Sequence, residues 1–182
     1  DHIQSWQDCF DIKTIYEPEI LETGGGLRNA IVTYPELFQA PFYLLNGDTF
    51  WREGQTPLLE RLAEAWNSTK ADFLFALYDP GEEDAGHGAG DFFMDEESLL
   101  HFRNERPVAP YTYMGAQIVD PAALQDAEVE YFALRKIWEK AAERGTLKGL
   151  VHEGFWHHVG TPEAITLAEQ RLKSYEEIRR AV

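Results

Sequence analysis

The sequence contains little cysteine and little positive charge. Cys9 is its one cysteine, which excludes a disulfide framework and a thiolate metal cluster and is typical of a reducing cytoplasm. Asp and Glu outnumber Lys and Arg by 32 to 16, giving a formal net charge of -16. Phosphate backbones of nucleic acids are held by clustered basic side chains, so we expect no nucleic-acid partner. A small polyphosphate ligand is compatible with this charge if a divalent cation offsets the repulsion.

Long apolar runs are also missing. The sequence therefore predicts no membrane-spanning segment, and its N-terminus has neither the basic nor the apolar region of a signal peptide. We expect a protein of the cytoplasm with no membrane partner. The 182 residues, 44% hydrophobic and 13% aromatic, are enough for one globular domain with a substantial core.

Strand and helix signals alternate along the chain. Nearly continuous apolar runs at 42–45 and 72–78 indicate buried strands, and the second is typical of a strand covered on both faces. Helical spacing marks 57–67, a segment that ends at Gly145, and a long C-terminal helix with Thr161 as N-cap and Pro162 at its first position. This alternation predicts an α/β fold, a three-layer sandwich around a mainly parallel mixed sheet.

Asn46-Gly47-Asp48 follows the first of these apolar runs. It places Asp48 at the C-terminal end of a strand, where open α/β sheets bind their ligands. The same three residues are also ordinary turn chemistry, and the local sequence does not decide between the two interpretations.

Three consecutive glycines lie between two other predicted elements. The alternation in 11–16 indicates a strand, Gly24 to Gly26 a turn, and Leu27 onward a helix. Such an arrangement can present backbone N–H groups to a ligand, although a flexible loop is the alternative. No Lys-Ser or Lys-Thr pair follows the glycines, which excludes a P-loop.

Two adjacent histidines, His157 and His158, lie on a predicted strand that stops at Gly160. Neighbouring side chains on a strand point to opposite faces, so the two cannot easily bind one ion together. One of them could face a site, whereas packing is the usual role of a lone histidine. The spacing of His152 and His157 is one residue too long for a zinc protease helix, and Gly154 disfavours that helix.

Six segments, in this order, resemble those of the sugar-1-phosphate nucleotidyltransferases, and most closely the short bacterial N-acetylmuramate-1-phosphate uridylyltransferase-like members. They are Leu21-Glu22-Thr23-Gly24-Gly25-Gly26, Leu45-Asn46-Gly47-Asp48, Gly88-Ala89-Gly90-Asp91-Phe92, Glu105-Arg106-Pro107, Tyr113-Met114-Gly115 and Trp156-His157-His158-Val159-Gly160-Thr161-Pro162.

The resemblance implies a Rossmann-like nucleotide-diphospho-sugar transferase fold and a reaction between a nucleoside triphosphate, with UTP favoured, and a sugar-1-phosphate. It also implies Mg²⁺ as cofactor. The residues it implies are, for the nucleotide, Glu22, Thr23, Gly24, Gly25 and Asn46; for the sugar, Gly90, Glu105 and Tyr113; for catalysis, Asp48 and Arg106; and for the metal, Asp48 and His158.

Two departures from the family pattern change these expectations. The family's glycine-rich signature loop, with its arginine and its Pro-Lys-Pro segment, is absent, so we expect an N-terminally truncated domain that lacks its first βα units and is inactive alone. His158 stands where relatives often carry a second metal-binding Asp. It could contact phosphate, leave the metal to one carboxylate and waters, or accept a softer metal. A mannose-1-phosphate guanylyltransferase-like activity and a non-catalytic nucleotide-sugar-binding or regulatory module are the alternatives.

Overall fold

A computed structural model describes residue 6 and residues 9–81 and 88–181, with side chains described up to residue 177. Its helices are α1 (Glu22–Thr33), α2 (Leu58–Asn67), α3 (Arg135–Glu143) and α4 (Pro162–Ala181), and single 3-10 turns cover Pro35–Leu37 and Pro121–Leu124. Its strands are β1 (Phe42–Leu45), β2 (Thr49–Arg52), β3 (Phe73–Tyr78), β4 (Phe92–Met94), β5 (Leu100–Phe102), β6 (Thr112–Val119), β7 (Leu147–Val151) and β8 (Phe155–His158).

The central sheet has the strand order β1-β6-β3-β7. β6 runs antiparallel to both β1 and β3, whereas β3 and β7 pair in parallel. Three of the four strands therefore point the same way, as predicted for a mainly parallel mixed sheet. The inserted β6 nevertheless makes two of the three pairings antiparallel.

β3 separates two hydrophobic cores. Phe73, Phe75 and Leu77 face the core that α1 and α3 cover, and the alternate residues Leu74 and Ala76 face the core that α2 covers. Because successive strand side chains point to opposite faces, a strand covered on both faces is apolar throughout. The three-layer arrangement predicted from this run is therefore confirmed.

The predicted strand at 11–16 and the predicted glycine turn are both wrong. Residues 11–17 have no regular secondary structure, and among the described residues no strand lies beside them to accept their backbone hydrogen bonds. The three glycines belong to α1, which begins at Glu22 rather than at Leu27. Glycine is a poor helix former, but tertiary contacts made by this helix outweigh that preference.

Two smaller antiparallel pairs lie outside the central sheet: the hairpin of β4 with β5, and the ribbon of β2 with β8. α4 packs on β8, and Thr161 Oγ1 accepts a hydrogen bond from Ala164 N at 3.1 Å, which confirms the predicted N-cap. None of the described helices is both long enough and apolar enough to cross a bilayer.

Candidate functional site

Asp48 and His158 meet where the ribbon joins the central sheet. Asp48 lies between β1 and β2, and the register of the ribbon pairs Thr49 with His158. Val159 N donates to the Asp48 carbonyl at 2.7 Å, and His158 Nε2 lies 3.0 Å from Asp48 Oδ2. Two residues separated by 110 positions in the chain are thus held side by side.

The two adjacent histidines occupy different environments, as the strand pattern predicts. His157 is 6% exposed, and its Nδ1 and Nε2 lie 2.8 Å from the His158 carbonyl oxygen and 3.5 Å from Arg171 Nη1. The His158 side chain is 53% exposed and that of Asp48 51% exposed. Of the two rings, His158 is therefore the one that can reach a ligand.

The Asp48 and His158 pair fits a divalent cation in part. Asp48 supplies one carboxylate oxygen of the kind that Mg²⁺ prefers, and His158 supplies a nitrogen beside it. Within the described ranges no group of three or more His, Cys, Asp or Glu side chains could enclose an ion. Any cation here would complete its coordination with water or with ligand oxygens, as Mg²⁺ commonly does beside phosphates.

A cleft of about 790 Å³ opens beside this pair. Its polar lining comes from Thr23, Asn46, Asp48, Tyr113 and Gln117. Its apolar walls are supplied by α1, β1 and the start of α3, with Leu27, Ala30, Phe38, Phe42, Tyr43, Leu44, Leu45, Leu134 and Trp138. Mostly apolar walls with a few convergent polar groups are typical of a small-molecule site.

Gly24 and Gly25 bring α1 against the segment around Phe132. Their amides donate to the Phe132 carbonyl at 3.0 and 3.2 Å. A Cβ on Gly24 would lie 2.3 Å from the Phe132 ring, and one on Gly25 would lie 2.0 Å from the Glu130 carbonyl oxygen. These glycines therefore permit a close packing contact, and the N–H surface predicted for a ligand is occupied by protein.

The other predicted nucleotide residues differ in position. Thr23 and Asn46 line the cleft, whereas Glu22 does not and accepts a hydrogen bond from the Tyr131 hydroxyl at 3.0 Å. Thr23 Oγ1 accepts from Leu134 N at 3.3 Å, which leaves its hydroxyl proton for a further acceptor. The backbone N–H of Asn46 donates to the Gly115 carbonyl at 2.7 Å, which fixes the loop that carries Asp48.

Tyr113 lies at the floor of the cleft within an aromatic cluster. Its ring centroid is 4.6 Å from that of Phe75 and 5.4 Å from that of Trp138. Burial raises the pKa of the Tyr113 hydroxyl well above its ordinary value, so the group is neutral, and it accepts a hydrogen bond from Gln117 Nε2 at 2.9 Å. Tyr113 can offer a hydroxyl to a ligand but not a charge.

Glu105 and Arg106 lie away from the cleft. They line an open depression with Arg103 and Asn104, and the Arg106 guanidinium stands 4.2 Å above the Phe93 ring centroid. A small intervening pocket shares Tyr113 with the cleft and shares Arg103 and Asn104 with the depression. The three concavities therefore adjoin one another along one surface.

Gly90 lies just before the β4–β5 hairpin, and Glu105 and Arg106 follow that hairpin. Its φ is +68°, and a Cβ there would lie 2.1 Å from the Ala109 carbonyl oxygen. Its own carbonyl accepts a hydrogen bond from Arg103 Nε at 2.9 Å. Glycine is needed at this position for the backbone conformation and for the close approach of residue 109.

Several cleft residues were missed from the sequence. Gln117 and Trp138 both line the cleft, and Gln117 is 1% exposed with no hydrogen-bond partner for its Oε1. A glutamine within the otherwise apolar run 114–119 was a signal that could have singled out this position. Trp138 carried no such signal, because its place on an apolar helix face is ordinary packing.

Comparison with known proteins identifies relatives. The chain is 32% identical over 154 residues to N-acetylmuramate alpha-1-phosphate uridylyltransferase of Caulobacter vibrioides, an alignment that covers 85% of this chain. It spans 62% of that relative, less than two thirds of its length. No family model matches the chain.

Solved structures share its fold. HddC from Yersinia pseudotuberculosis complexed with GMP-PN superposes with a TM-score of 0.64 at 19% identity, covering 94% of this chain and 73% of that one. UDP-glucose pyrophosphorylase complexed with UDP-glucose gives a TM-score of 0.64 at 14% identity, covering 94% and 71%. The predicted fold class is thereby confirmed. The similarity in sequence to a named uridylyltransferase agrees with the resemblance that the six segments carry.

Proposed function

We propose that residues 1–182 form one nucleotidyltransferase domain lacking its N-terminal signature segment. The complete protein transfers a nucleotidyl group, UMP first among the candidates, from a nucleoside triphosphate to a sugar-1-phosphate and releases pyrophosphate. The similarity to a named uridylyltransferase supports this choice. The observation that carries it is the contact of His158 with Asp48, which lines a cleft of about 790 Å³.

The proposed reaction depends on positioning and charge neutralisation. Attack by a phosphate oxygen on the α-phosphorus needs little covalent help from the protein. Asp48 and His158 would hold the Mg²⁺ or another divalent ion, which when bound neutralises phosphate charge. In a protein with a net charge of -16, a cation between the polyphosphate and Asp48 offsets repulsion that would otherwise oppose binding.

The ligand contacts of the other predicted site residues are assigned from the pocket that each residue lines. Thr23 and Asn46 contact the nucleotide in the cleft, and Tyr113 offers its neutral hydroxyl to the sugar where the cleft meets the next pocket. Arg106 binds phosphate and Glu105 sugar hydroxyls from the adjoining depression. Both side chains are exposed, so they can turn toward a ligand without disturbing a core.

A non-catalytic nucleotide-sugar-binding module is the competing function. His158, which stands where members of the family often carry a second metal-binding Asp, favours it, because imidazole is a poorer ligand for Mg²⁺ than a carboxylate. The two functions differ in turnover rather than in binding.

The test is pyrophosphate release by the product of the complete gene, assayed with each nucleoside triphosphate and a panel of sugar-1-phosphates. We expect turnover that is fastest with UTP. Asp48→Asn should reduce turnover at least about a hundredfold while leaving the thermal midpoint nearly unchanged. Asp126→Asn, which changes another exposed Asp, should leave both unchanged.

Two results would count against the proposal. Binding of nucleotide sugar without turnover under any of these conditions would support the non-catalytic module. An Asp48→Asn enzyme within a few-fold of the wild type would remove Asp48 from the mechanism.

A further inference from the structure

We propose that Gln117 and Trp138 form a subsite for an amide-like group of the ligand, which gives its N–H to Gln117 Oε1 and accepts from Trp138 Nε1 at its carbonyl oxygen. The imide edge of a pyrimidine base and the acetamido group of an amino sugar both carry this chemistry. The inference rests on the proposed function, because it concerns the ligands of the same cleft. It adds two specificity-determining residues to that cleft.

Gln117 leaves a buried hydrogen-bond acceptor without a partner in the cleft. The residue is 1% exposed and lines the cleft. Its Nε2 donates to the Tyr113 hydroxyl at 2.9 Å, whereas its Oε1 has no hydrogen-bond partner in the part of the chain that the structure describes. Nearly all buried polar groups in proteins are hydrogen-bonded, because an unpaired one loses its hydration without compensation. A ligand N–H at this oxygen would recover that loss.

Trp138 supplies the complementary donor. Its Nε1 is buried and has no acceptor among the described residues, and its side chain lines both the cleft and the adjoining small pocket. An indole N–H can only donate, so it requires an oxygen or nitrogen acceptor. The Trp138 ring centroid lies 5.4 Å from that of Tyr113, the residue to which Gln117 is hydrogen-bonded. The unpaired acceptor and the unpaired donor therefore belong to one cluster around Tyr113.

The placement of these two groups distinguishes them from other unpaired polar atoms. Within the described ranges, Oγ1 of Thr49, Thr69 and Thr112 and Nδ1 of His152 are also buried without a partner, but none of these residues lines the cleft.

The combination of one acceptor and one donor determines the class of ligand group. A phosphate or carboxylate offers only acceptors, so it would leave Gln117 Oε1 unpaired and place negative charge beside it. An amide or imide carries an N–H and a C=O and can satisfy both residues while remaining neutral. A site with buried polar groups of this kind discriminates strongly against an analogue that lacks one of the matching groups.

Calorimetric titration of the complete protein with two pairs of ligands tests the inference without turnover. UTP and N3-methyl-UTP differ in the N–H of the base, and UDP-N-acetylglucosamine and UDP-glucose differ in the acetamido group of the sugar. We expect the wild type to bind the amide-bearing member of one pair at least about tenfold more tightly, and Gln117→Met to reduce that preference to about threefold or less. Trp138→Phe, as a second variant, should reduce the same preference. The pair that responds identifies the source of the amide.

Thr112→Val provides the matched control. Thr112 lies on the same strand as Gln117 and also has a buried, unpaired side-chain oxygen, but it does not line the cleft. Because valine keeps its shape, both ligand preferences should be unchanged.

Thermal unfolding of the complete protein without ligand tests for a partner elsewhere in the protein. Gln117→Met should shift the midpoint by no more than about 3 °C, because the lost hydrogen bond to Tyr113 is offset by removal of the unpaired oxygen.

The inference is overturned if the wild type binds none of these ligands, or if Gln117→Met leaves both preferences unchanged or weakens both members of each pair equally. Tighter binding of UDP-glucose that is lost in Gln117→Met would assign a hydroxyl to the subsite and overturn it as well. A midpoint that falls further than expected, with unchanged preferences, would place the partner of Gln117 within the protein.

The inference and the proposed function can fail separately. A complete protein whose preference depends on Gln117 but that never releases pyrophosphate would support the subsite and refute the proposed transfer. Turnover with preferences that Gln117→Met does not alter would do the reverse.

Discussion

Alanine substitution of two neighbouring glycines in α1 should have opposite effects on stability. A Cβ on Gly25 would lie 2.0 Å from the Glu130 carbonyl oxygen, whereas one on Gly26 would meet Glu17 Oε1 at 2.6 Å. The first obstacle is backbone and the second is the end of a flexible side chain. Both substitutions gain about 1 kcal/mol in helix propensity, so their difference isolates the packing contact.

The magnitude follows from the contact that Gly25 makes. Ordinary contact begins at 3.4 Å, so the 130–132 segment would have to retreat by about 1.4 Å. That movement strains the two hydrogen bonds that Gly24 N and Gly25 N donate to Phe132 O. Overpacking costs about 1 to 3 kcal/mol and each of the two weakened hydrogen bonds about 0.5 to 1 kcal/mol. After the propensity gain, we expect Gly25→Ala to lose about 1 to 4 kcal/mol.

Equilibrium unfolding in urea, followed by tryptophan fluorescence, measures both changes. Gly26→Ala should be neutral or more stable by up to about 1 kcal/mol, because Glu17 can rotate away. Gly47→Ala, whose Cβ would meet nothing within 4 Å, shows the effect of the substitution in open space. Equal stability of the Gly25→Ala and Gly26→Ala chains would refute the close contact between α1 and residue 130.

Two further predictions concern buried polar groups. Burial lowers the pKa of His152 below its usual 6.5, so the unfolded chain binds more protons just below that pH. The free energy of unfolding should therefore fall as the pH drops below about 6.5 and level off below the folded-state pKa. His152→Gln should reduce this dependence in urea titrations, and an unchanged dependence would contradict the assignment. Trp156 Nε1 donates to the buried Met114 carbonyl at 2.9 Å, so Trp156→Phe should cost about 1 to 3 kcal/mol in thermal or urea unfolding. Trp51→Phe, which loses a hydrogen bond to the exposed Glu53 rather than to a buried acceptor, should cost less than about 1 kcal/mol, and equal losses would contradict the assignment.

The fold was predictable where burial leaves a periodic signal. β3 is apolar at every position because both of its faces are covered, and the sequence indicated this directly. The orientation of β6 left no such signal, because a buried strand has the same composition in parallel and antiparallel pairings. Gly24 and Gly25 misled the prediction, since their role is contact with residues 130 and 132, more than a hundred residues away.

Part of the candidate site was predictable, because strand ends and strand alternation can be recognised in the sequence. Asp48 follows a recognisable apolar strand, although Tyr43 and Leu45 of that strand are exposed, so the prediction that 42–45 is buried was wrong. The alternation of His157 and His158 correctly assigned them to opposite faces. The separation of Glu105 and Arg106 from the cleft could not be foreseen, because it depends on how the β4–β5 hairpin sits beside the sheet. Gln117 was overlooked among its apolar neighbours.

The contact between Asp48 and His158 joins two positions that lie far apart in the chain. An ion bound by both side chains would be a reversible cross-link closing a loop of 110 residues. Closing a loop of that size restricts the unfolded chain strongly, so a bound ion would stabilise the whole fold as well as the site. Because β8 leads directly into α4, withdrawing the ion should increase hydrogen exchange first in the ribbon and the C-terminal helix and only later in β3.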